Sequence, residues 1–262
     1  MPGRVQERKV RILGIIPARG GSKGIKNKNI VNLAGKPLIQ YTLEPAIRLE
    51  KEGLIEHLII STDSPDIKAI AEKIGAKVPF LRPDKYAVDE SKSIDLVLHA
   101  IDFFECKDTF FDAVILLQPT SPLRSYNDIS DALNLFKKFK SESLISVCKE
   151  KIRELRSYKK NGVYGIPISP LHNKGTRRQD LDEIYIRNGA IYICKTEYIK
   201  QNHVLFSDAP LLFEMPPERS IDTNTSEDLD YIRWLLTRKS GAEENITKSD
   251  AIHRKERFGG IE

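Results

Sequence analysis

Short apolar runs alternate with amphipathic stretches along most of this chain, and that rhythm limits the folds open to it. Residues 12–18 are apolar and carry Pro17 near their end, with Gly20, Gly21 and Gly24 just beyond. This pattern reads as a buried strand running into a loop. Residues 58–61, 113–117 and 144–148 repeat the buried-strand pattern. Between them, residues 37–52, 64–75, 91–105 and 125–140 place apolar side chains at helical spacing. Pro45 predicts a kink or a later start for the first of these helices. Ser64-Pro65-Asp66 and Gly75 supply start and stop signals for the second. Such alternation argues for an α/β fold, a mostly parallel sheet with helices on both faces.

The rhythm breaks after Cys148. Residues 149–179 are basic, interrupted by Gly and Pro, and contain no long apolar run. A stretch of this kind reads as an excursion with a task or as disorder. Strand patterns return at residues 190–194 and 211–213, and a last helix begins near Thr225 with Leu229, Ile232 and Leu235 on its inner face. The organisation expected is one domain over residues 11–238 containing an excursion at 149–187, with flexible tails at 1–10 and 239–262. The 262 residues and 40% hydrophobic content suffice for one such core. The net charge of +5 suits an anionic small substrate, yet most of it reads as solvated surface. No apolar run nears the ~20 residues of a membrane span. The N-terminal stretch is polar and basic, without a signal-peptide core. A cytoplasmic protein without nucleic-acid or membrane partners is expected. Cys106, Cys148 and Cys194 are dispersed and form no CxxC pair, which argues against a disulfide framework or a zinc site.

Four motifs carry chemistry. Arg19-Gly20-Gly21-Ser22-Lys23-Gly24, continuing to Lys28 and Asn29, follows the first strand. Ligands of open α/β sheets bind at that end of a strand. Glycines admit phosphate oxygens to backbone N–H groups, and the cations offset their charge. The spacing is neither a Walker A loop nor GxGxxG, and the alternative reading is a glycine-rich turn with solvated lysines. Gln118-Pro119-Thr120-Ser121-Pro122-Leu123-Arg124 also leaves a strand end, and its Gln offers both a donor and an acceptor. Arg178-Gln179 and Arg187-Asn188 supply arginines able to grip a carboxylate, or to pair with surface acids. In Ser220-Ile221-Asp222-Thr223-Asn224-Thr225, Asp222 and Asn224 fall on one side of an extended segment and offer half a shell for Mg²⁺. Thr225 with Asp228 equally suits helix capping.

Taken together and in this order, these motifs resemble the acylneuraminate cytidylyltransferase family, the CMP-sialic acid synthetases and their relatives. The resemblance runs from Ile12 to about Leu236. It rests on Ile16-Pro17-Ala18-Arg19 with Ser22-Lys23-Gly24 and Lys28-Asn29, on Ser61-Thr62-Asp63, Leu81-Arg82-Pro83, Gln118 to Arg124, and Asn188-Gly189-Ala190-Ile191-Tyr192. It implies a Rossmann-like fold of the nucleotide-diphospho-sugar-transferase type, Mg²⁺ as cofactor, and a homodimer in which the excursion covers the partner's sugar site. Arg19, Gly21, Ser22, Lys23 and Lys28 would meet the CTP phosphates, while Asn29 and Arg82 would hold the cytidine half. Gln118, Thr120, Ser121, Arg178, Gln179, Arg187 and Asn188 would face the sugar acid. Asp222 and Asn224 would hold the metal, and Arg19, Lys23 and Asp222 would carry catalysis. Two positions depart from the family: Asn224 stands where an Asp is common, and Ile186 stands where some relatives place Arg.

The activity implied is attack by the anomeric hydroxyl of an acidic nine-carbon sugar on the α-phosphorus of CTP, releasing pyrophosphate. Thr120 stands where the KDO enzymes place Asp, which argues against KDO and leaves sialic, legionaminic and pseudaminic acids open. A nucleotide-binding homologue with impaired catalysis is the alternative from another class.

Overall fold

A computed structural model of the chain describes residues 8–21, 24–87, 91–150, 157–170 and 183–238. The chain opens with β1 (Ile12–Pro17), a two-residue ribbon of β2 (Asn32–Leu33) and β3 (Lys36–Pro37), and helix α1 (Gln40–Lys51). Next come β4 (His57–Ser61), α2 (Pro65–Ile74), α3 (Ser93–Glu105), β5 (Ala113–Leu117) and α4 (Tyr126–Phe139). β6 (Ser143–Glu150), the hairpin of β7 (Tyr158–Asn161) and β8 (Tyr164–Pro167), and β9 (Ile184–Lys195) follow. α5 (Thr196–Asn202), β10 (Leu211–Glu214) and a helix over 226–238, α6, complete the described elements.

The local signals act as their chemistry dictates. The Ser64 hydroxyl accepts from the Ile67 N–H at 3.4 Å, Pro65 takes the first turn of α2, and Gly75 ends it at a φ of +101°. Ser125 and Asp128 close a reciprocal capping box on α4. α1 starts at Gln40, later than Pro37, and keeps Pro45 inside it. There the proline forgoes one helical hydrogen bond, a loss that packing of Leu43, Ala46 and Leu49 in the core offsets.

Six strands form the main sheet in the order β10-β6-β9-β5-β1-β4. β1 runs parallel to β4 and β5, and β10 runs parallel to β6. β9 lies antiparallel between β5 and β6. The interior strands are apolar on both faces because helices cover both. Ile12 and Ile16 of β1 pack with α1, α2 and α4 on one face, while Leu13 and Ile15 pack with α3 and α5 on the other. α6 lays Leu229 and Ile232 on Leu33, Leu38 and Leu123, so it sits beside the loop that leaves β5.

Sheet pairing reaches into both ends of the expected excursion. β6 runs on to Glu150 and pairs with Ile184 of β9, so both flanks of the segment are sheet. Between them stands the β7–β8 hairpin with Tyr158, Tyr164 and Ile166 exposed and Val163 at its tip 91% exposed. The expected tails at 1–7 and 239–262 lie outside the described residues, whereas residues 8–10 lie within them and Arg8 reaches Asp112 at 3.0 Å. Cys194 is buried in β9, where burial pushes its thiol up to about 12, and Cys106 is exposed. No helix among the described residues is long and apolar enough to cross a membrane.

Candidate active site

Because β1, β4 and β5 run parallel, their carboxyl ends bring Pro17, Ser61 and Leu117 to one edge of the sheet. β9 runs the other way, so its amino-terminal half arrives at the same edge. A cleft of about 400 Å³ opens there. Of the residues singled out in the sequence, Arg19, Lys28, Asn29, Arg82, Gln118, Thr120 and Asn224 line it. A larger cleft, of about 780 Å³, lies at the opposite end of the strands, away from these motifs.

The loop after β1 is fastened to its surroundings. The Gly20 N–H donates to Asp63 Oδ1 at 2.9 Å. Asn29 is buried and donates its amide to the Arg19 carbonyl at 2.9 Å. Lys28 Nζ donates to the Thr223 carbonyl at 2.8 Å, tying the loop to the segment before α6. Burial holds the Lys28 ammonium below the usual lysine range against the opposing pull of Asp222, and Arg19 adds to the lowering. Gly24 packs so closely that a Cβ there would stand 2.7 Å from the Asn224 carbonyl oxygen. Gly21 is exposed in open space. Ser22 and Lys23 lie outside the described residues.

Arg82 is 5% exposed and all three of its nitrogens donate. Nε reaches the Ser61 hydroxyl at 3.0 Å, one terminal nitrogen reaches the Ser61 carbonyl, and the other reaches the Tyr86 carbonyl at 3.5 Å. Burial lowers its pKa to about 10, Asp63 opposes that, and Arg19 adds to it. Two guanidinium groups thus share one pocket with little carboxylate nearby, an arrangement that favours a polyanionic ligand.

The loop after β5 divides its duties. Gln118 lines the cleft, and its side-chain amide makes no hydrogen bond among the described residues. Its carbonyl accepts from Arg124 at 3.1 Å. Arg124 is buried away from the cleft, donating also to the Ala190 carbonyl at 2.6 Å and the Thr42 hydroxyl at 2.8 Å. Burial brings its pKa down to about 9. The last residue of this motif is therefore a clamp joining α1, the loop and β9. Thr120 lines the cleft while its carbonyl accepts from the Thr223 N–H at 2.8 Å. Ser121 is buried and its hydroxyl has no partner.

In the segment before α6, Asn224 Nδ2 donates to Asp222 Oδ2 at 3.0 Å. Asp222 Oδ1 is buried without a hydrogen-bond partner. That orphan oxygen fits a cation ligand, while the Asn224 amide nitrogen is engaged with the other oxygen of the same carboxylate. No cluster of three or more His, Cys, Asp or Glu exists among the described residues, so phosphate oxygens and water would have to complete an Mg²⁺ shell. The segment also caps α6: Asp228 accepts from the Asn224 and Thr225 N–H groups at 2.9 and 2.8 Å.

Across the cleft edge the picture is looser. Arg187 is exposed, with its guanidinium 4.8 Å from the Phe206 ring centroid. Tyr192 stacks on the same ring at 6.0 Å. The Asn188 amide is committed inside the protein: its oxygen accepts from Ser146 at 2.6 Å and from the Ala190 N–H at 3.2 Å, and its nitrogen donates to Ser220 at 2.9 Å. It therefore ties β9 to the segment carrying Asp222. Arg178 and Gln179 lie outside the described residues. Sequence reasoning passed over Tyr86 and Leu96, which also line the cleft. Tyr86 sits on a single 3₁₀ turn just after the Leu81-Arg82-Pro83 motif, a proximity that was the available signal.

A cleft lined by Arg19, Lys28 and Arg82 at the carboxyl edge of a mostly parallel sheet is an arrangement of the nucleotidyltransferase type. The family model for Cytidylyltransferase matches residues 13–252, and the chain belongs to that family. It is 37% identical over 238 residues to the CMP-N,N'-diacetyllegionaminic acid synthase of Legionella pneumophila, covering 88% of this chain and 96% of that protein. It is 33% identical over 238 residues to the N-acylneuraminate cytidylyltransferase of Escherichia coli, covering 88% of this chain and 54% of that protein. Among solved structures, a CMP:2-keto-3-deoxy-manno-octonic acid synthetase complexed with CTP superposes with a TM-score of 0.65 at 18% identity, covering 87% of this chain and 99% of that one. That likeness supports the α/β nucleotidyltransferase fold. The chain is an enzyme of the nucleotidyltransferase class.

Proposed function

We propose that this enzyme transfers CMP from CTP to the anomeric hydroxyl of a nonulosonic acid and releases pyrophosphate. The observation that carries the reading is the cleft in which Arg19, Lys28 and Arg82 face Gln118 and Asn224, with Asp222 close enough to act on the Lys28 charge, in a chain whose relatives are named for acids of this class. In this reading Arg19 and Lys28 bind the triphosphate, with Ser22, Lys23 and the Gly21 backbone beside them. Arg82 and Asn29 shape the cytidine end. Gln118, whose amide is unspent, meets the sugar acid together with Thr120, and Arg187 near Tyr192 approaches its carboxylate. When bound, Mg²⁺ at Asp222 and Asn224 supplies charge that polarises the α-phosphate. The chain's own contribution is to hold the triphosphate in line with the hydroxyl and to compensate its charge.

The enzyme further acts as a homodimer in this reading. The support is the β7–β8 hairpin, which exposes Tyr158, Val163, Tyr164 and Ile166 with no core of its own. The test is incubation of the enzyme with CTP, Mg²⁺ and each of sialic, legionaminic and pseudaminic acid, followed by mass spectrometry of the products. A CMP-linked sugar from one or more acids is expected. Binding of CTP with no CMP-sugar from any acid would favour the nucleotide-binding homologue instead.

A further inference from the structure

The cleft at the opposite end of the sheet has chemistry of its own. It lies where β1 and β5 begin, beside the last turn of α4 and the start of α5, and it holds about 780 Å³. That is the size of a pocket for a nucleotide-sized molecule. Five of its lining side chains are cations, Arg8, Lys9, Lys137, Lys140 and Lys195, against the two carboxylates of Asp112 and Glu197.

The ion pairs do not use up this excess. Asp112 is taken by the Arg8 guanidinium at 3.0 Å and by the Arg11 N–H at 2.7 Å. Lys195 pairs with Glu142 at 2.8 Å. Among the described residues, Lys9 and Lys137 form no ion pair with a carboxylate, although the charge of Lys9 reaches Glu56, which Arg11 already holds at 2.8 Å. Lys137 makes only a long contact of 3.4 Å with the Leu54 carbonyl. It is half-buried, and burial together with the charge of Lys9 depresses its pKa. The two ammonium groups repel one another and one of them is partly desolvated, so an anion placed between them is favoured. Beside them the pocket is apolar, with Val10, Phe111 and Phe136. Phe111 and Phe136 are buried core residues whose edges form this wall.

We propose that this cleft is a second binding site, separate from the catalytic cleft, for a small phosphorylated molecule with an apolar or aromatic body. Lys9 and Lys137 grip the phosphate, and the wall of Val10, Phe111 and Phe136 takes the body. The ligand enters at the amino ends of β1 and β5, so it has no access to the catalytic edge.

The test uses the full-length protein and two probes, inorganic phosphate and phenyl phosphate, titrated while the amide resonances of Val10, Ala113 and Ser141 are followed. Both probes are expected to shift these resonances, with phenyl phosphate binding several-fold more tightly because it alone reaches the apolar wall. In Lys9→Met with Lys137→Met, which keeps the alkyl stems and hence the packing, affinity for both probes should fall about tenfold or more. Circular dichroism and thermal unfolding confirm that the variant is folded. Equal affinity for the two probes would overturn the proposal. So would unchanged affinity in the double variant, or shifts confined to the resonances of the catalytic cleft.

Discussion

Around Arg82 each guanidinium nitrogen donates to the protein itself, whereas Arg187 stands exposed over the Phe206 ring. Arg82 lines the cleft, and Arg187 lies on β9, whose amino-terminal half reaches the same edge of the sheet. On the Arg82 side, Asn29, Lys28 and Arg82 are buried or half-buried and held by Arg19, Thr223 and Ser61. On the Arg187 side the guanidinium is exposed, and the described hairpin between β6 and β9 keeps Tyr158, Val163, Tyr164 and Ile166 in solvent. Groups fixed before a ligand arrives lose little entropy on binding it, and groups left free must be ordered at that moment. In the proposed reading, the side that would meet an unvarying triphosphate is prebuilt, and the side that would meet a variable sugar has its arginine exposed.

Substitutions can break this comparison. The largest effect is expected at the metal segment: Asp222→Asn, which removes its one carboxylate with an unpartnered oxygen, should lower turnover by at least about 100-fold in a pyrophosphate-release assay. Wild-type rate and Mg²⁺ dependence in that variant would reduce the segment to a cap for α6. Arg19→Ala should lower turnover by a similar order with an unchanged circular dichroism spectrum. Next comes the contrast itself. Arg82→Met removes one of the two donors to the Ser61 carbonyl, the Ala18 N–H being the other, together with the bonds to the Ser61 hydroxyl and the Tyr86 carbonyl. It should cost about 1–3 kcal/mol, lowering Tm by roughly 3–10 °C in calorimetry. Arg187→Ala should leave Tm within about 1 °C and act instead on KM for the sugar acid. Equal Tm losses at both positions would erase the difference between the two sides.

A smaller effect is expected from Gly24→Ala. Its Cβ would fall 2.7 Å from the Asn224 carbonyl oxygen, so the loop must shift, and turnover should drop roughly tenfold while Tm changes little. The smallest is a gain. Asn224→Asp places a second carboxylate beside Asp222, whose Oδ2 now accepts the Asn224 amide at 3.0 Å. The two charges repel without metal and share it when it is bound, so half-maximal activity should need several-fold less Mg²⁺. A Mg²⁺ titration that requires more metal would contradict the assignment of this pair.

Much of the architecture was legible because buried parallel strands and their helices write long, regular patterns. Ser64, Pro65 and Gly75 marked α2 because capping is a local matter. The motifs singled out Arg19, Lys28, Arg82, Gln118 and Asn224, and the fold brings these five to one cleft. The direction of β9 was not legible, since an apolar strand reads the same whichever way it runs. Nor was the β7–β8 hairpin: Tyr158–Pro167 is short, charged and exposed on both faces, so it leaves no periodic apolar trace. The motif ending in Arg124 gave that residue no role and Asn188 was expected to face the sugar acid, whereas their partners, Ala190 and Ser146, come from distant parts of the chain. The basic cleft at the other end gave no motif at all, because Lys9, Lys137 and Lys195 are brought together only by the fold.

The claim that one side of the cleft is prebuilt and the other is not can be tested by calorimetry on the wild-type enzyme. Mg²⁺ with CTP is titrated in without sugar acid, and the sugar acid is titrated in without CTP. The account predicts saturable binding of one CTP per chain in the first titration. It predicts no saturable heat in the second until a non-hydrolysable CTP analogue is added. Saturable sugar binding in the absence of nucleotide, with CTP binding only once the sugar is present, would contradict it.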